Sequence, residues 1–192
     1  MASSNILLIL FSITIMLYMA YGQGHDYLKK VCSVTRYQSL CIHSLSHFSS
    51  PASHSPSGWA RAAVSVTLAE TQEAGQYLVK LKTGGGGVRM RGRARLALSD
   101  CVECFSDAVS LLHSALGEMR SLERETFASQ ISNVETWLSA ALTNQNTCID
   151  GFQEFKVGPQ VRMITSKVLN TTHFTSNALA LVNKLASSGQ SG

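Results

Sequence analysis

Apolar residues recur along most of this chain at steps of three and four, the spacing that gathers side chains on one face of an α-helix. Leu98, Val102, Phe105, Val109, Leu112 and Leu116 form one such stripe, and Cys101, Cys104, Ala108, Leu111 and Ala115 run beside it. Together they predict an amphipathic helix with a wide buried face. Phe127, Ile131, Val134, Leu138, Ala141, Cys148 and Phe152 keep the same rhythm, with Gln145 the one polar step. Val64, Leu68, Thr71, Gly75 and Leu78 mark an earlier helix, and Val161, Ile164, Val168, Thr175, Leu179 and Val182 a later one. The pattern predicts four helices, over residues 58–82, 93–117, 122–150 and 160–186.

Only three prolines and no long alternating run argue against a sheet. Short connections between long helices favour neighbours that run antiparallel. The expected fold is all-α, an up-and-down four-helix bundle over residues 58–192, preceded by a separate hairpin and linker over residues 23–57. The linker is the Ser- and Pro-rich run from Ser49 to Ser57.

Ile6 to Ala20 is almost wholly apolar but shorter than the roughly 20 residues of a membrane span. Ala20-Tyr21-Gly22 places small residues where a signal peptidase needs them, so residues 1–22 read as a secretory signal peptide. The run lacks a preceding Lys or Arg, and a signal anchor is the alternative. After cleavage about 170 residues remain, enough for one domain with its own core, and no membrane segment is expected beyond it.

Secretion puts the five cysteines in an oxidising compartment, where pairing is favoured and one is left over. Cys32 and Cys41 are close enough for a bridge that closes the hairpin, contributing about 2 to 3 kcal/mol in the chain-entropy model. If the helices around Cys101 and Cys148 form an antiparallel pair with a turn near 119–126, the two sulfurs reach similar heights. Such a bridge would contribute about 4 kcal/mol. Spacing alone equally permits Cys104 to pair with Cys148. Cys101-Val102-Glu103-Cys104 also matches Cys-x-x-Cys, yet it lacks the preceding strand of a redox unit and the second pair of a zinc finger. His43, His47 and His54 fall at no metal-ligand spacing with these cysteines and read as solvated loop residues, so no metal is expected.

The chain carries 16 Lys and Arg against 12 Asp and Glu, a net charge of +4. Part of that excess is concentrated in Arg89, Arg91, Arg93 and Arg95, which follow the run Gly84 to Gly87. Four successive glycines cost too much backbone entropy for a helix interior, so this is a connection. Its arginines would give a weak attraction to acidic polysaccharide, and a solvated basic linker is the plainer reading. No Gly-Lys-Ser/Thr follows, no nucleophile elbow, paired metal histidines or nucleotide fingerprint is present, and no cofactor or nucleic acid is implied. Glu103 and Asp107 are a carboxylate pair on one helix face, and an exposed acidic face accounts for them without catalysis. A secreted, disulfide-stapled helical bundle of this kind is expected to be a binding module and not an enzyme.

Several segments make the resemblance specific. They are Val31-Cys32-Ser33-Val34-Thr35-Arg36-Tyr37-Gln38-Ser39-Leu40-Cys41; Asp100-Cys101-Val102-Glu103-Cys104-Phe105-Ser106-Asp107-Ala108-Val109; Thr136 to Thr143 leading into Thr147-Cys148-Ile149-Asp150-Gly151-Phe152; and Thr175 to Leu181. The chain resembles the plant invertase and pectin methylesterase inhibitor family over essentially its whole length after residue 22. The resemblance implies a four-helix bundle with an N-terminal helical hairpin, bridges Cys32 to Cys41 and Cys101 to Cys148, and a free Cys104. It also implies a secreted protein of the apoplast and cell wall that reversibly caps the cleft of plant pectin methylesterase in a 1:1 complex. The Pro-Lys-Phe motif of the invertase branch is absent, with Gly158-Pro159-Gln160 in its neighbourhood, and acid invertase is the alternative target. Carried over by motif, Glu103, Asp107, Thr147 and Asp150 are the positions expected to face the enzyme; the plainer reading of Asp107 and Asp150 is solubility or local helix contact. Phe105 stands where the family often has tyrosine. Since carboxylates would form the contact, affinity is expected to vary with pH. A polysaccharide-binding wall protein using the arginine loop, or the pro-region of a larger esterase, are the other readings; the end at Gly192 favours a free-standing inhibitor. Asn170-Thr171-Thr172 is an acceptor sequon for an N-glycan.

Overall fold

In a computed structural model that describes residues 26–48, 55–84, 90–153 and 158–189, every regular element is helical. The expected signal peptide, His54, most of the Ser- and Pro-rich linker, and Gly85 to Arg89 lie outside the described residues. Residues 26–32 (α1) and Gln38–Leu45 (α2) form the N-terminal hairpin. The bundle follows as Pro56–Lys82 (α3), Arg93–Glu118 (α4), Phe127–Asp150 (α5) and Pro159–Gly189 (α6). His43, expected in a loop, sits exposed on α2.

Local chemistry sets the boundaries. At the start of α3 the Ser55 hydroxyl accepts from the Gly58 N–H at 3.0 Å and Pro56 occupies the first turn, where its missing N–H costs nothing. Lys80 and Lys82 sit in the last turn, where cations oppose the helix dipole. Gly92 precedes α4 at φ 56°, a left-handed conformation that glycine adopts without strain. The third bundle helix begins at Phe127, five residues later than the periodicity predicts at 122. The reason is Gln130, whose side chain folds back on the turn. Its Oε1 accepts from Glu123 N–H at 2.8 Å and from the Thr126 hydroxyl at 3.1 Å, while its Nε2 donates to Ser121 O at 2.8 Å. Leu122 therefore packs against the core from a turn and not from a helix.

Each long helix packs on the next, and α6 closes back on α3. Contacts between neighbours run in opposite senses along the chain. Gln72 meets His113 while Leu81 and Leu98 line one groove, so α3 and α4 are antiparallel. Thr175 meets Gln145 while Gly189 lies against Phe127, which sets α5 against α6 in the same way. Glu73 pairs with Lys167 while Trp59 shares a groove with Leu181, and α3 and α6 are likewise opposed. In each of these three pairs the helices run antiparallel.

The interior is divided into two apolar clusters. One, at the hairpin end, joins Leu28, Leu45, Trp59, Leu112, Leu138 and Val182 among others. The other holds Leu78, Leu98, Phe105, Phe152 and Ile164 with the cysteines of the bundle. Between them lies a polar layer. Gln145, 0% exposed, donates through Nε2 to Thr71 Oγ1 at 3.2 Å, and its Oε1 accepts from Thr175 Oγ1 at 2.8 Å. The Thr71 hydroxyl donates in turn to Thr67 O within its own helix, and the single Thr175 proton lies between two acceptors, Gln145 Oε1 and Thr171 O at 3.0 Å. A buried polar group is tolerable only when bonded, and this one links three helices at one fixed height.

The hairpin is fastened twice. Cys32 and Cys41 are bridged, with Cα atoms 5.8 Å apart. The buried Asn177 amide then clamps Tyr37, accepting from its N–H at 3.1 Å and donating to its C=O at 2.9 Å. The Tyr37 ring stacks on His173 with centroids 3.7 Å apart.

Candidate functional site

Cys101 and Cys148 are bridged, their Cα atoms 4.4 Å apart and both side chains buried. The alternative pairing of Cys104 with Cys148 is thereby excluded, and Cys104 is the free cysteine, half-buried on α4. The bridge ties the start of α4 to the end of α5, while the turn at 119–126 joins their other ends. The surface beside it is held on two rigid elements.

Glu103, Asp107, Thr147 and Asp150 are all exposed. With about 1.5 Å of rise per residue, Glu103 stands about 3 Å and Asp107 about 9 Å above the level of the bridge. Because α5 runs the other way, Thr147 lies about 1.5 Å above that level and Asp150 about 3 Å below it. The four positions therefore span about 12 Å of the bundle axis. By height they fall within one strip, about 12 Å tall, across α4 and α5.

Their chemistry is that of acceptors. The Thr147 hydroxyl donates to Thr143 O at 3.0 Å, so it offers lone pairs outward. One oxygen of Asp150 accepts from Gln153 Nε2 at 2.6 Å, the local helix contact of the plainer expectation. Two ion pairs are found among the described residues, Lys29 with Asp26 and Lys167 with Glu73, and neither touches the strip.

The thiol of Cys104 reports the local field. Burial pushes its pKa up, and the carboxylates of Asp107, Asp100 and Glu103 push it further. This brings in a residue that motif reasoning passed over. Asp100 is exposed and lies at i, i+3 and i+7 with Glu103 and Asp107, so three carboxylates follow one line on α4. Exposed Thr143, close to the height of Asp107, extends the α5 side. The sequence carried a signal for Asp100 in that spacing, whereas Thr143 needed the antiparallel register.

Elsewhere, Arg91, Arg93 and Arg95 are exposed near the start of α4. Lys82, Arg91 and Arg95 line a groove of about 630 Å³ there, so a basic end lies beside the acidic strip. Asn170 is exposed on α6. No group of three His, Cys, Asp or Glu among the described residues could hold a metal ion, and no described helix is long and apolar enough to cross a membrane.

Comparison with known proteins adds the family. A model described as plant invertase/pectin methylesterase inhibitor matches residues 26–181. Pectinesterase inhibitor 6 of Arabidopsis thaliana is 42% identical over 168 residues, 87% of this chain and 79% of that protein. Pectinesterase 3 of Phaseolus vulgaris is 32% identical over 162 residues, which make up 82% of this chain and 27% of that longer one. The crystal structure of mutant form A of a pectin methylesterase inhibitor from Arabidopsis matches with a TM-score of 0.63, covering 81% of this chain and 95% of that chain at 22% identity. Identity that low speaks for the fold alone. The family model and the 42% identical relative together place this chain in the plant invertase/pectin methylesterase inhibitor family.

Proposed function

We propose that this protein is a secreted, non-catalytic inhibitor of plant pectin methylesterase that reversibly occludes the enzyme's substrate cleft and so restrains pectin de-esterification in the cell wall. The observation that carries the reading is the 42% identity, over most of both chains, to a protein named as a pectinesterase inhibitor. Residues 1–22 serve as the signal peptide and residues 23–192 as one inhibitor domain. Glu103, Asp107, Thr147 and Asp150, with Asp100 beside them, form the contact, in a 1:1 complex.

The physical case rests on rigidity and polarity. A strip fixed on two bridged helices loses little conformational freedom on binding. Its carboxylates and hydroxyl oxygen suit a partner surface that presents lysine, arginine or backbone N–H groups. An N-glycan on exposed Asn170 would sit on α6, outside the α4 and α5 pair that carries the strip. The groove lined by Lys82, Arg91 and Arg95 favours a second, weaker contact, in which the basic end holds acidic pectin.

Titration of the purified protein against a plant pectin methylesterase and an acid invertase tests the reading. Inhibition of the esterase is expected; inhibition of invertase alone would move the target to the other branch, and inhibition of neither would overturn the function. The double variant Glu103→Ala, Asp107→Ala should weaken inhibition at least about tenfold, corresponding to about 1.4 kcal/mol. Unchanged inhibition would refute the placement of the contact.

A further inference from the structure

At the hairpin end of the bundle, away from the acidic strip, α1 and its following turn leave a groove against α3 and α6. It measures about 450 Å³, the size of a small-molecule site. Val31, Val34, Trp59, Leu181 and Leu185 give it an apolar wall. Val34 is 43% exposed, an apolar side chain left facing water where the hairpin could have covered it.

Two features make this wall unlike an ordinary surface crease. Trp59, only 4% exposed, lends the groove an aromatic side chain held in place by the core. The charged groups lining the groove are Lys30 and Lys184, both exposed, and no carboxylate lines it among the described residues. Neither lysine belongs to the ion pairs found among the described residues.

We propose that this groove binds an apolar monocarboxylate, its aliphatic or aromatic body against Trp59, Leu181 and Leu185 and its carboxylate between Lys30 and Lys184. Affinity comes from the ligand's own apolar body leaving water, together with the exposed Val34 side chain, since Trp59, Leu181 and Leu185 are already only 4, 5 and 6% exposed. The two ammonium groups supply the selectivity, since they attract an anionic head, repel a cationic one and gain little from an ester. The size of the cavity suits a single small molecule better than a protein segment, whose contact would spread over a larger area.

The test uses laurate below its micelle concentration, with methyl laurate and dodecyltrimethylammonium as matched probes. The chain has two tryptophans, so Trp137→Phe leaves Trp59 as the fluorescent reporter. Isothermal calorimetry on the unaltered protein gives the same comparison without a substitution. A saturable laurate signal is expected, with the ester and the ammonium probe at least about tenfold weaker. Lys30→Ala with Lys184→Ala should erase that preference, and Val34→Glu, at an exposed position, should abolish laurate binding while the circular dichroism spectrum stays helical. Absence of saturable laurate binding, equal affinity for the three probes, or indifference to the lysine variant would each overturn the proposal. Esterase inhibition is not a readout, so the outcome is independent of the proposed function.

Discussion

Replacing the larger partner of the buried polar layer should cost less than replacing the smaller one. Thr175→Val removes a hydroxyl from a site that is 0% exposed and leaves Gln145 Oε1 without its 2.8 Å donor. An unmet buried acceptor costs about 1 to 3 kcal/mol. Gln145→Leu removes two hydrogen bonds, each worth a net of about 0.5 to 1.5 kcal/mol. It orphans no donor, because Thr71 Oγ1 still donates to Thr67 O at 2.7 Å and Thr175 Oγ1 to Thr171 O at 3.0 Å. The apolar side chain gains burial between two apolar clusters, so the net change should stay within about 1 kcal/mol. For a domain of this size each kcal/mol moves Tm by about 2 to 4 °C. Calorimetry should therefore show Thr175→Val melting about 2 to 12 °C lower and Gln145→Leu within about 4 °C of the parent. The double variant should be more stable than Thr175→Val alone, since it removes the orphaned oxygen. If Gln145→Leu is the more damaging change, or if the double variant is the least stable of the three, the account of the layer is wrong.

Three other outcomes follow from the same structure. The bridge between Cys101 and Cys148 spans 47 residues and that between Cys32 and Cys41 spans 9; removing them as alanine pairs should cost about 4 and about 2.6 kcal/mol, and denaturant unfolding that ranks them the other way would refute the loop-entropy reading. His173 has its pKa lowered, first by burial and then by Arg36. The folded protein therefore binds this proton less readily than the unfolded chain, and stability should fall as pH drops below the ordinary imidazole value of about 6.5; His173→Gln should flatten that part of the stability profile. Cys104 should alkylate more slowly than a cysteine in a free peptide at neutral pH, and Asp107→Asn should speed the reaction by removing the largest of the neighbouring charges that raise it.

The hydrophobic pattern by itself determined that this chain is helical and which faces turn inward. Leu98, Phe105 and Leu112 on one helix and Ile131, Val134 and Leu138 on the next are buried as their spacing requires, because a period near 3.6 leaves an apolar stripe no other way to escape water. The motif segments carried the family, and with it the expected strip. The start of α5 was not legible, because what ends the preceding turn is a polar side chain, Gln130, reaching back over nine residues to Ser121. Nor could periodicity explain Gln145, which looked like one irregular polar step and became the centre of a layer only when Thr71 and Thr175 arrived from two other helices. Asn177 holding Tyr37 across 140 positions is of the same kind. Local spacing encodes burial, which each residue expresses alone. A buried hydrogen bond needs both partners at one place. Tertiary structure alone decided those pairings, the choice of Cys101 over Cys104 for Cys148, and the relative heights of Glu103, Asp107, Thr147 and Asp150 on α4 and α5.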